Sequence, residues 1–345
     1  MNYVGCDLHK ETTWFYVVNE QGKKVDSKNI SNNIIDLKGY FSKIPKPFIL
    51  AVEATYNWYF FIDLAEKYAQ EVYLANSYEL KAFAKRHKKT DKIDARLIAD
   101  VLYKGYLPTV TIADCATRQI RELLRSRQSL VTDRTRNILR LKGLFNKLGD
   151  IEARDLTTYK GLNGIDVKKY SIIYGQIITD YKERIGYLTK KLSEVDERIL
   201  STAVNDQDIA NLETAPGLGY FSAALIKTEI IDINRFACFD RLCAYAGLAP
   251  GVCASGPHVH RGPLNRNRRK HLQWILLENV YHFIKASPQR EAKFSSIEKR
   301  KGHSIAKVVL ARDFLKIIYH ILKERRPYYA VKEESKIQSM AAAAL

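Results

Sequence analysis

Cysteine is scarce and unordered in this chain. The five residues, Cys6, Cys115, Cys238, Cys243 and Cys253, are odd in number and form no CxxC pair. That speaks against a disulfide framework or a CxxC zinc site, and leaves reduced cytoplasmic thiols acting as small buried hydrophobes. Long apolar runs are missing too. None reaches the ~20 residues a membrane helix needs, and no basic stretch leads into an apolar segment near residue 1. Neither a membrane span nor a signal peptide is expected. Negative charge is the third shortage: 38 Asp and Glu stand against 56 Lys and Arg, a net charge of +18. An excess of that size favours a nucleic-acid partner, because a Lys or Arg that neutralises a phosphate releases a condensed counterion. Solubility alone is the bland alternative. The basic residues cluster at 85–89, 266–271, 299–301 and 323–326. Lys88, Lys89, Arg266, Arg268, Arg269 and Lys270 are the candidate nucleic-acid contacts, with a solvated face as the other reading of each cluster.

Against that background four acids stand out by position. Asp7 ends the apolar run Tyr3-Val4-Gly5-Cys6, and Glu53 ends Phe48-Ile49-Leu50-Ala51-Val52. Asp91 and Asp94 lie three apart in a helix start, Thr90-Asp91-Lys92-Ile93-Asp94, so both carboxylates share one helix face. Two strand-end acids and a helical pair make an oxygen cage suited to Mg²⁺, with Mn²⁺ as a substitute. In a basic chain this points to metal-assisted phosphodiester chemistry. Such carboxylates also cap helices, and Asp91 is the best placed of the four to do only that. His9 and Lys10, beside Asp7, read as ordinary surface residues, with phosphate contact as the alternative.

At 345 residues the chain should hold two or three domains. Residues 1–113 read as α/β: strands at 2–6, 14–18, 23–28, 48–52 and 72–75, and helices at 58–69 and 91–103. A hairpin followed by βαβα elements gives a mixed sheet flanked by helices, with acids at strand ends, where open sheets place ligands. Residues 114–204 keep a 3.5-residue apolar period. One run steps from Ile120 through Leu124, Arg127, Val131, Arg134, Ile138, Leu141 and Phe145 to Leu148. The other runs through Ile178, Tyr181, Ile185, Leu188, Leu192, Val195 and Ile199. Such spacing predicts an antiparallel coiled-coil hairpin broken at Gly161 and Gly164, which dimerises the protein or holds nucleic acid. Arg127 and Arg134 imply a partly polar seam. Two amphipathic helices packed inside a domain are the alternative.

Residues 205–330 read as mainly helical. Ala215-Pro216-Gly217-Leu218-Gly219 precedes a helix from Tyr220 to Glu229, exposing backbone N–H groups to a phosphate in the manner of a helix-hairpin-helix turn. Gly217 and Gly219 are therefore candidate nucleic-acid contacts, although Pro-Gly is also an ordinary turn. A short helix ends at Gly247 and Pro250, a loop spans 251–262, and a basic helix is expected over 265–285. The tail, 331–345, closes on Met340-Ala341-Ala342-Ala343-Ala344-Leu345 and is expected to lie outside the fold.

In this order the elements resemble the DEDD transposases of bacterial insertion sequences, the bridge-RNA-guided serine recombinases. The resemblance rests on Val4-Gly5-Cys6-Asp7-Leu8-His9-Lys10, Val52-Glu53-Ala54-Thr55 and Lys89-Thr90-Asp91-Lys92-Ile93-Asp94-Ala95. It continues in Ala215-Pro216-Gly217-Leu218-Gly219, Ala244-Tyr245-Ala246-Gly247-Leu248-Ala249-Pro250 and Ser255-Gly256. It covers nearly the whole chain. It implies a RuvC-like, RNase H-type first domain in which Asp7, Glu53, Asp91 and Asp94 bind Mg²⁺, and a C-terminal transposase domain in which Ser255 is the nucleophile. Further implied are a transient phosphoserine link to DNA, a combined site assembled from different subunits of a dimer or tetramer, and a structured RNA that pairs with donor and target DNA. The setting this implies is the bacterial cytoplasm, on the nucleoid. By itself Ser255-Gly256 is a common turn pair, and a serine hydroxyl needs a base or metal to become nucleophilic. Two other classes remain: a metal-only RuvC-like nuclease, and a non-catalytic nucleic-acid scaffold. One departure is local. Where relatives carry Gly-Asn and then Leu-Arg, this chain has Arg268-Arg269 and Leu272-Gln273.

Overall fold

The computed structural model describes residues 1–84, 90–150, 155–203, 206–255, 258–265 and 267–328, with backbone alone at 252–255 and 258–261. The tail at 331–345 lies outside the described residues. Two compact units emerge, one of Met1–Ala113 and one that begins at Asp114. Among the described residues no helix is long and apolar enough to cross a membrane.

The first unit runs β1 (Asn2–Leu8), β2 (Thr12–Val18), β3 (Lys24–Ser31), α1 (Ile34–Phe41), β4 (Phe48–Glu53), α2 (Trp58–Ala65), β5 (Glu71–Ala75), α3 (Ser77–Leu80), α4 (Asp91–Tyr103) and β6 (Thr109–Val110). The strands form one sheet in the order β3-β2-β1-β4-β5-β6. β1 is antiparallel to β2 and parallel to β4, which is parallel to β5. This is the mixed α/β sheet the sequence predicts, and it is compatible with an RNase H-type domain.

Successive side chains on a strand point to opposite faces, and here that alternation separates core from site. Val4, Cys6 and Leu8 join Phe15 and Val17 in a core closed by Leu37 and Phe41 of α1 and Phe61 and Ile62 of α2. The opposite face carries Ala51 and Ala75 under Ile98 and Leu102 of α4, and Tyr16 and Val18 under Ala95 and Ala99. Asp7 and Glu53 follow the second alternation, so their strands aim them toward the α4 side. Helix α1 is absent from the sequence-based outline. It is capped by Asn33, whose side chain accepts from the Ile35 N–H. Its pattern is masked because Ile34 and Ile35 are exposed while Leu37, Tyr40 and Phe41 are buried.

The second unit runs α5 (Cys115–Lys147), α6 (Tyr159–Asn163), α7 (Ile172–Ala203), α8 (Gln207–Glu213), α9 (Tyr220–Ile230), α10 (Phe239–Tyr245), β7 (Pro250–Ser255), β8 (His258–Leu264), α11 (Lys270–Lys285), α12 (Pro288–Lys301) and α13 (His303–Glu324). The two long helices do pair, but along two different cores. Ile138, Leu141 and Phe145 meet Ile178 and Ile185, together with Leu162 of α6. Leu124, Val195 and Ile199 instead join the large core of α8 to α13. The polar seam position Arg127 pairs with Asp196 and lies 4.3 Å above the Phe221 ring.

Two local expectations are corrected. The segment 251–262 is a β-hairpin rather than a loop, with Ser255 opposite His258 at its tip. The Gly-Pro pair between those two residues is a turn signal, and the flanking stretches pair as antiparallel strands. Helix α11 begins at Lys270, with Arg269 as its N-cap, rather than at 265. The chain before it is occupied by β8 and by the turn that brings Arg269 N–H to the Tyr245 carbonyl at 2.9 Å.

Candidate active site

The site is built first by strand register. Cys6 pairs with Val52 across the parallel β1–β4 ladder, so the next residues along, Asp7 and Glu53, stand side by side. Helix α4 then closes over them because Gly5 lets it. A Cβ on Gly5 would lie 2.2 Å from the Ala95 carbonyl oxygen and 2.3 Å from the Ala99 nitrogen. Only glycine permits backbone that close to backbone, and the contact holds the N-terminal end of α4, with its acids, at the Asp7 side of the sheet. Thr90 is the N-cap, its hydroxyl accepting from Ile93 N–H at 3.3 Å. Asp91 is therefore not the cap, and its carboxylate is available for other contacts.

Asp7 is 5% exposed. Its carboxyl is pushed up to about 6. Burial is the largest cause, the charges of Glu53 and Asp94 push the same way, and His9 pulls back. A buried carboxylate crowded by two others is a site of concentrated negative potential, and a divalent cation relieves it. The donor set of hard carboxylate oxygens fits Mg²⁺ or Mn²⁺. Asp7 and Asp91 offer ligand oxygens close enough to share one ion, while Glu53 and Asp94 bear on Asp7 through their charge.

The structure also places a residue that sequence reasoning set aside. His9 Nε2 lies 3.1 Å from Asp7 Oδ2 and 3.3 Å from Asp91 Oδ1. Asp7, His9 and Asp91 each offer a ligand atom, all within 4.8 Å of one another. The turn that carries His9 is tied down. Its N–H donates to the Thr12 carbonyl at 3.0 Å. Its carbonyl accepts from Asn32 Nδ2 at 2.9 Å and Asn57 Nδ2 at 2.8 Å. The available signal was the spacing Asp7-Leu8-His9, one strand repeat from the first acid, but a short-range histidine is too common for that to decide.

In the second unit, backbone alone places Ser255 as the last residue of β7. Gly217 has φ +90, and a Cβ there would come within 2.8 Å of His282 Cβ, so glycine is required for packing on α11. Gly219 caps α9 and faces open space. Lys88, Lys89 and Arg266 lie outside the described residues. Lys270 is exposed. The stem of Arg268 covers Gly247, where a Cβ would sit 2.4 Å from Arg268 Cδ.

Arg269 is turned inward. Its Nε lies 3.0 Å from Glu229 Oε2, and the fully buried Glu229 also meets Arg125 Nη2 at 2.7 Å and Arg121 Nε at 3.9 Å. Tyr245 donates its hydroxyl to the Glu229 carbonyl at 2.9 Å. Gln273, at one of the departing positions, donates from Nε2 to the Gly247 carbonyl at 2.7 Å. The roots of the Ser255 hairpin are thus fastened on both sides. Glu229 was visible in the sequence only as an acid closing the apolar helix that begins at Tyr220.

Comparison with known proteins matches both units. Residues 4–149 fit a DEDD-type IS110 transposase model, described as transposase. Residues 209–295 fit a model described as transposase, IS116/IS110/IS902 family. The chain is 22% identical over 279 residues to the transposase for insertion sequence element IS1328 of Yersinia enterocolitica, covering 80% of this chain and 81% of that protein. It is 22% identical over 271 residues to the transposase for IS1111A of Coxiella burnetii, covering 74% and 72%. A putative transposase of Sinorhizobium fredii aligns over 339 residues at 21% identity, covering 94% and 85%.

Proposed function

Because the chain belongs to the IS110 family of insertion-sequence transposases, we propose that it cuts and rejoins DNA through an acidic metal site in the first unit and Ser255 in the second. That it is a transposase, acting on DNA, follows from the family. We infer further that the sheet domain is RuvC-like, that Ser255 is the nucleophile and that an RNA guides the choice of DNA.

The observation that carries it is the crowding of Glu53 and Asp94 on buried Asp7, inside the segment that fits the DEDD model. A bound Mg²⁺ or Mn²⁺ would supply positive charge to the scissile phosphate. Ser255 Oγ forms a bond to phosphorus as the bond to the leaving 3′ oxygen breaks, and the serine proton ends on that oxygen. The product is a 5′-phosphoserine and a free 3′-hydroxyl. A hydroxyl from another strand then displaces the serine, which recovers its proton. One phosphoester forms for each one broken, so rejoining needs no external energy source. Acids and serine meet across subunits of a dimer or tetramer. An element-encoded structured RNA selects donor and target by base pairing, while the basic surface reads backbone shape.

Ser255→Ala tests the nucleophile. The expected result is no covalent protein–DNA adduct and no strand exchange, with nucleic-acid binding retained. Cutting at the wild-type rate would replace this reading with a metal-only nuclease. Unaltered recombination in cells carrying Asp7→Ala and Asp94→Ala together would replace it with a scaffold. Sequencing of RNA that co-purifies with the protein tests the guide: a homogeneous element-encoded transcript is expected, and its absence removes that part.

A further inference from the structure

We propose that His9 is a direct ligand of the metal, adding an imidazole nitrogen to the carboxylates and biasing the site toward Mn²⁺ over Mg²⁺. The inference rests on the acidic-site reading above and deepens it.

Geometry is the first support. Adjacent ligands of an octahedral ion with bonds of about 2.0–2.1 Å lie roughly 3 Å apart. His9 Nε2 is 3.1 Å from Asp7 Oδ2 and 3.3 Å from Asp91 Oδ1, the spacing of two octahedral edges meeting at the nitrogen. The same nitrogen can hydrogen-bond one carboxylate well. Splitting its single proton between two acids is a poorer use of it than facing a cation that both acids share.

Rigidity is the second support. Surface turns are ordinarily loose, yet this one is held through the His9 backbone at three points, by Thr12, Asn32 and Asn57. Asn32 follows β3, and Asn57 precedes α2. Two separate loops thus supply amides to one carbonyl, which fixes the direction from which the imidazole enters. Groups that must meet a ligand within a fraction of an ångström are held in this way. The third support is access. His9 is half-exposed while Asp7 is almost fully buried, so the imidazole stands on the open side of the acids, where an incoming ion has access.

The donor type sets the specificity. Oxygen donors alone suit Mg²⁺, whereas imidazole raises affinity for first-row transition ions.

The experiment is pulsed EPR on the full chain loaded with Mn²⁺ as its chloride, on wild type and His9→Gln, with Mn²⁺ and Mg²⁺ affinities measured by calorimetry and folding checked by circular dichroism. Wild type is expected to show ¹⁴N hyperfine coupling to the bound Mn²⁺, and His9→Gln to lose it. The variant should bind Mn²⁺ more weakly by at least the about 10–100-fold that loss of a mere ligand-orienting partner costs, and Mg²⁺ with a smaller loss. Mn²⁺ bound without nitrogen coupling, or coupling that persists in the variant, would overturn the assignment. So would a variant that binds Mn²⁺ as tightly as wild type or tighter, because His9 would then be a hydrogen-bonding placeholder. Failure of the wild type to bind either ion would sink the acidic centre itself, a different result from all of these, and His9 with it.

Discussion

Asp7→Asn should make the metal-free first unit more stable at neutral pH. The carboxyl of Asp7 stands at about 6 in the fold against an ordinary 3.8. A folded-state value above the unfolded one means that the fold holds the proton more tightly than the open chain does. The associated stability is fully present below 3.8 and is lost as pH rises through about 6. A shift of about two pK units corresponds to about 3 kcal/mol. At neutral pH, ionised Asp7 therefore destabilises the metal-free fold by up to that amount. Asparagine keeps the shape and removes the charge. Its lost contact with His9 makes about 3 kcal/mol an upper bound on the gain.

The assay is urea unfolding in EDTA across a pH series, comparing Asp7→Asn with Asp7 on a Trp274→Phe background. Trp14 and Trp58 then report the first unit alone. The gain should be largest at neutral pH and fade toward acid. Added Mg²⁺ should stabilise the Asp7 protein more than the Asn variant. A pH-independent difference, or an Asn variant less stable at neutral pH, would refute the electrostatic account of this site.

Two further substitutions probe the frame. Gly5→Ala places a methyl against the backbone of α4 at 2.2 Å; it should cost about 1–3 kcal/mol or more in the same unfolding assay and weaken Mn²⁺ binding, because Asp91 and Asp94 ride on that helix. Glu229→Gln leaves Arg121, Arg125 and Arg269 without their shared carboxylate and should destabilise the second unit by about 3–5 kcal/mol, read from Trp274 fluorescence; a loss under 1 kcal/mol would show the cluster to be solvated and of little consequence.

What could be read from sequence was what has a strong local signal. The strands around Asp7 and Glu53 are short apolar runs with an acid at or near their ends, and α4 carries cap, acids and apolar stripe together, so its limits were legible to the residue. Helix α1 was not, because two of its isoleucines face solvent and break the period. The 251–262 hairpin was hidden by glycine, proline and serine, residues that mark loops and hairpin tips alike. His9 and Glu229 were missed for a common reason. Each matters through partners far off in the chain: Asp91, Asn32 and Asn57 for one, two arginines of α5 and the N-cap arginine of α11 for the other. No spacing rule encodes such meetings. The seam of the long helices was legible as a period, but not its division between two cores, because a heptad does not name its partner.

The seat of α4 on Gly5 has a bearing on how the centre responds to its cargo. Main chain pressed on main chain has no rotamers to exchange, so any inward shift of the helix meets the strand backbone at once. Adjustment falls first to the side chains gathered there, Asp7, His9 and Asp91 among them. The protein's own response to loading should then be local, on the timescale of side-chain rotation.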